Sequence, residues 1–105
     1  MSEKYFLPGI DFCVVLLGYD GAQDAIDAAM AEHLAWMNAC YEEGTILLSG
    51  RRTPWTGGVM LVRGDKTRAD ALLSNMPFVV KGLATTEVIG FTTGMAAPAI
   101  RDSVG

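Results

Sequence analysis

The chain has 105 residues, half of them hydrophobic and 19% charged, enough for one domain with its own core and too apolar for a disordered segment. Twelve acidic residues against eight basic ones leave −4 at neutral pH, a poor footprint for nucleic acid or an anionic membrane. No apolar run approaches the roughly 18 residues that span a bilayer, and the N-terminal residues lack the basic and apolar regions of a signal peptide; a single cytoplasmic domain over residues 1–105 is expected.

Residues 12–18, Phe-Cys-Val-Val-Leu-Leu-Gly, predict a first strand. Asp24 fits the N-cap of a helix running to about Glu43, and Gly44 suits a left-handed stop after it. Ile26, Met30, Leu34, Met37 and Tyr41 recur every three or four positions and predict one apolar stripe. Residues 45–50 and 58–63 predict two more strands, joined by a loop with Pro54, Gly57 and Gly58. Thr67, with Asp70 three positions on, starts a second helix that carries Ala69, Leu72, Leu73 and Met76 until Pro77 stops it. A last strand covers about Leu83 to Thr92. The order β-α-β-β-α-β is an α+β, ferredoxin-like plan.

The strands do not alternate. Val14-Val15-Leu16-Leu17, Ile46-Leu47-Leu48 and Val59-Met60-Leu61-Val62 are apolar at every position, so both sheet faces call for cover. Two helices in this topology cover one face, and a second copy of the chain is the simplest cover for the other. A homodimer is therefore expected. Charge is also uneven: residues 1–50 hold eight acids and one base (Lys4), and residues 51–105 four acids and seven bases. Internal pairing of the acidic first helix with the basic second half accounts for this most simply. Cys13 and Cys40 sit in apolar stretches and fit no metal or redox spacing.

Specific stretches carry a family resemblance. Glu32-His33-Leu34 and Glu43-Gly44 are followed by Ile46-Leu47-Leu48-Ser49-Gly50 and Thr53-Pro54-Trp55-Thr56-Gly57-Gly58-Val59; then come Met76-Pro77-Phe78, Gly82-Leu83-Ala84 and Ile89-Gly90-Phe91-Thr92. In this order and spacing, residues 12–93 closely resemble the YciI-like (YCII-related) family of small bacterial proteins, with residues 1–11 and 95–105 as extensions. The resemblance implies a dimeric α/β barrel. It also implies an enzyme built on a helix-one histidine and an aspartate preceding a Pro-Phe or Pro-Tyr pair. A related branch dehydrochlorinates chlorinated hydroxyquinols, a proton-transfer chemistry suited to such a pair. Here His33 holds the histidine position, while Met76, with Asn75 beside it, holds the aspartate position.

His33 is the only histidine and falls between Met37 and Cys40 on a helical wheel of about 100° per residue. Its neighbours three and four positions away, Ala29, Met30, Trp36 and Met37, offer no charged partner. Cys40 lies roughly 10.5 Å along the axis, too far for a Cys–His pair. A lone histidine on an apolar face is more often a packed core residue; the resemblance instead implies that His33 lines a cavity. Asn75 could supply an oxygen to orient an imidazole but no charge to stabilise imidazolium, and Met76 supplies neither. Arg51-Arg52 beside Trp55 could bind an anionic or aromatic ligand, or be a solvated loop paired with the acidic helix.

The expected function is binding of a small aromatic or carbonyl compound in a cavity lined by His33, with dehydrochlorinase- or lyase-like acid/base chemistry at that residue. Asn75, Met76, Arg51, Arg52 and Trp55 are the expected ligand contacts, and no cofactor or metal is expected. A non-catalytic ligand-binding or interaction protein without the dyad is the alternative. A cofactor-independent monooxygenase ranks third.

Overall fold

The computed structural model describes residues 3–104. Strands β1 (Asp11–Tyr19), β2 (Ile46–Arg51), β3 (Gly57–Arg63) and β4 (Ala84–Thr92) form one antiparallel sheet in the order β2-β3-β1-β4. Central β1 pairs on both sides, so that Val15 stands opposite Met60 of β3 and Val88 of β4. Helix α1 (Gln23–Glu43) links β1 to β2, and α2 (Lys66–Leu73) with the short α3 (Pro77–Val80) links β3 to β4. That connectivity and strand order are ferredoxin-like.

Side chains alternate across a strand. Cys13, Val15 and Leu17 are buried and form the core with Ile26, Ala29, Met37 and Cys40 of α1, Ala69 and Leu73 of α2, and Phe78 of α3. Val14 and Leu16 point the other way and are only partly buried. On that second face they neighbour Leu61, Val59 and Ile89, and Leu48 stands beside Leu61. Leu48, Ile89 and Phe91 are exposed. The apolar second face expected from the strands is present.

The closed dimeric α/β barrel is not. The sheet is open, with β2 and β4 as its two edges. Apolar residues on both faces require a layer over each face, whereas closing a barrel requires edge strands to pair. The strand pattern carries information about the first and none about the second.

Local signals explain most boundaries. Gly44 ends α1 in the left-handed region (φ 78°), and its N–H bonds back to Cys40 and Tyr41 carbonyls. The α1 N-cap is Ala22, two residues before the expected Asp24, whose carboxylate instead accepts from Ala25 N–H at 2.9 Å. Asp65 caps α2 by accepting from Arg68 N–H at 3.0 Å. Pro77 opens α3 at its first position, where a missing N–H costs nothing; α2 has already ended at Leu73.

The chain ends pack together outside the sheet. A 3-10 turn (Glu3–Tyr5) and a helix α4 (Pro98–Val104) are joined through a Phe6–Met95 bridge, with Leu7 N–H donating to the Gly94 carbonyl at 3.1 Å. Among the described residues, no helix is long and apolar enough to cross a membrane.

Candidate functional site

The buried stripe of α1 is Ile26, Ala29, His33, Met37 and Cys40. It is turned slightly from the expected one, because Leu34 and Tyr41 are exposed. The rotation places His33 against the sheet. Opposite it, β2 and β3 present Ser49, Gly50, Gly57 and Gly58, and a cavity of about 360 Å³ remains between helix and sheet. Gly57 is required by packing: a Cβ there would lie 1.7 Å from the Leu17 carbonyl oxygen.

His33 is 7% exposed. Its Nδ1 is buried with no hydrogen-bond partner, which leaves Nε2 as the ring nitrogen available to the cavity. The imidazole lies flat on Phe78, centroids 4.0 Å apart and planes 7° from parallel. Burial pulls its pKa below the ordinary value, and no carboxylate opposes that shift. The ring is therefore neutral at pH 7.

Aromatic contacts extend from this stack to the cavity mouth. Tyr19 meets Phe78 edge-on at 5.8 Å and Trp55 edge-on at 5.9 Å. The Trp55 indole N–H donates to the Tyr19 hydroxyl at 3.2 Å. The Arg51 guanidinium lies over the Trp55 ring, 4.9 Å from its centroid. At the rim, Tyr41 of α1 hydrogen-bonds Ser49 of β2 through their hydroxyls.

His33, Arg51 and Trp55 thus line one cavity. Arg52 is exposed beside them, and its backbone N–H donates to the Gly57 carbonyl at 3.1 Å. Met76 is fully buried in the core and does not line the cavity. Asn75 lies in a separate groove with Arg63, Arg68 and Thr45, its amide donating to the Ala71 carbonyl at 3.5 Å. Tyr19, Ser49 and Phe78 line the site without having been singled out from the sequence. Phe78 belongs to the Pro-Phe pair after Met76 and Ser49 to the Ile46–Gly50 stretch of the resemblance, whereas Tyr19 carries no local signal. Among the described residues, no group of His, Cys, Asp or Glu could hold a metal ion.

Residues 12–92 match the family model described as the YCII-related domain. The fold is also similar to a solved structure of 5-chloro-2-hydroxyhydroquinone dehydrochlorinase from Burkholderia phenoliruptrix in complex with 2,5-dihydroxybenzoquinone. That match has a TM-score of 0.62 and 19% identity, and it covers 76% of this chain and 91% of that one. No curated protein matches the chain.

Proposed function

The chain belongs to the YCII-related domain family, and from that premise we propose that it binds a small aromatic or carbonyl compound in the His33 cavity, without a His–Asp dyad. The observation that carries this reading is the neutral, carboxylate-free imidazole stacked on Phe78 inside an aromatic-walled cavity. A volume of about 360 Å³ suits one substituted six-membered ring, at the small end of ligand pockets. Planar ligands gain from contact with Tyr19 and Trp55 in the lining. The solved structure of similar fold is named for a dehydrochlorinase and holds a dihydroxybenzoquinone, which supports the same ligand class.

His33 Nε2 can exchange a hydrogen bond or a proton with a ligand oxygen, but no acid steadies the imidazolium that proton uptake would form. In serine proteases, replacing the corresponding aspartate by asparagine costs about 10⁴ in rate. Binding with little or no turnover is the expected behaviour. Titration calorimetry with 2,5-dihydroxybenzoquinone should show saturable binding that weakens in His33→Ala. Binding unchanged in that variant would contradict the site. Robust turnover of 5-chloro-2-hydroxyhydroquinone, lost in His33→Ala with the fold intact, would overturn the non-catalytic part.

The second sheet face supports a homodimer as part of this proposal. Val14, Leu16, Val59, Leu61 and Ile89 share that face with exposed Leu48 and Phe91, and a like surface on a second copy would bury it.

A further inference from the structure

We infer that the His33 cavity selects planar anions, such as arene carboxylates or ionised hydroxyquinones, and that Arg51 reads the charge. This rests on the cavity being a ligand site, as proposed above. Among the described residues that line it, Arg51 is the only charged side chain. His33 is neutral, and no aspartate, glutamate or lysine reaches the lining. Pairing with the acidic first helix does not account for the arginine. The ion pair of α1 joins Glu32 to Lys81 at 3.0 Å, and among the described residues Arg51 makes none.

The Arg51 guanidinium lies over the Trp55 ring, and the Trp55 indole N–H donates to the Tyr19 hydroxyl. A contact of this kind leaves guanidinium N–H groups to pair with a carboxylate or a delocalised oxyanion. At the far end of the same aromatic wall sits the neutral His33 ring on Phe78. A flat ligand lying along the wall therefore meets a positive charge at the mouth and an uncharged imidazole inside.

Other charge types fit poorly. A cationic ligand would face Arg51 with no carboxylate in the lining to balance it. A neutral ligand would leave the arginine fork to water and gain only the stacking. Negative charge on a flat body is the match.

Benzoate and benzamide, which share shape and differ in charge, test the inference at pH 7 by titration against the His33 ring resonances. Benzoate should bind the natural protein about tenfold or more tightly than benzamide, the minimum expected for a charge-assisted contact. Arg51→Gln should bring the two affinities together, while Arg51→Lys should keep much of the preference. Equal affinities in the natural protein, with the His33 signals moving, would overturn the anion selectivity and leave the cavity reading standing. A preference that survives Arg51→Gln would overturn the role of Arg51. Should neither probe nor 2,5-dihydroxybenzoquinone move the His33 signals, the cavity reading fails and this inference with it.

Discussion

The imidazole of His33 lies flat on the ring of Phe78, and its buried Nδ1 has no hydrogen-bond partner. Removing a hydrogen-bond partner while keeping the buried group costs about 1–3 kcal/mol. The stack on Phe78 recovers part of this through ring contact. What remains is an uncharged imidazole aimed at a cavity.

The first prediction concerns pH. Burial holds the native His33 pKa below its ordinary value, while the unfolded chain titrates near 6.5. Between those values the unfolded state binds the extra proton. The histidine's contribution is fully favourable above about pH 6.5 and is lost as pH falls toward the native pKa. Urea unfolding of the natural protein should therefore lose more stability between pH 7 and pH 5 than His33→Gln does. Equal losses would contradict it.

Met76→Asp places a carboxylate where the sequence resemblance implies an acid, directly before Pro77. If its oxygen meets Nδ1, the His33 pKa rises above that of the natural protein, and turnover of 5-chloro-2-hydroxyhydroquinone increases. Burying the new group costs several kcal/mol while it stays unpaired, so a folded spectrum is checked first. A folded variant with an unchanged histidine titration would show that position 76 does not reach the ring.

Gly57→Ala tests how the cavity floor is built. A Cβ 1.7 Å from the Leu17 carbonyl oxygen forces β3 away from β1, and overpacking of this kind costs about 1–3 kcal/mol. Gly50→Ala, with open space at its Cβ, should change stability far less. Similar urea midpoints for the two variants would contradict the close approach.

Leu61→Glu tests the proposed homodimer. Leu61 sits on the open face between Val14 and Leu48, whereas neighbouring Met60 and Val62 belong to the core. Sedimentation of the natural protein at micromolar concentration should give a two-subunit mass. The variant should be aggregated or unfolded, since obligate dimers often lack a stable monomer. A well-folded monomer from the natural sequence would remove the need for a second copy.

How far the residues alone foretold this arrangement depends on whether the controlling contact is local. Gly44 and the short apolar runs place elements within a residue or two, because stops and strand periods act over a few positions, whereas α2 ends at Leu73, three residues before the Met76 end that Pro77 suggested. The stripe of α1 came out rotated since periodicity favours large apolar side chains, Leu34 and Tyr41, over Ala29 and Cys40, which the sheet in fact covers. Asn75 and Met76 are adjacent in sequence yet lie in a surface groove and in the core. The stack of His33 on Phe78 and the Tyr19–Trp55 contact join distant segments, beyond the reach of any window. Helix α4 has little apolar periodicity and buries no residue, so the pattern offered no handle on it.

The central claim is a ligand cavity around a neutral histidine, and its most direct test follows the ring resonances of His33, the only histidine, at pH 7 during titration with 2,5-dihydroxybenzoquinone. The account predicts a neutral-form signal before ligand is added and a saturable shift as it binds. A signal already in the imidazolium form, or one that stays put while calorimetry reports saturation, would contradict it.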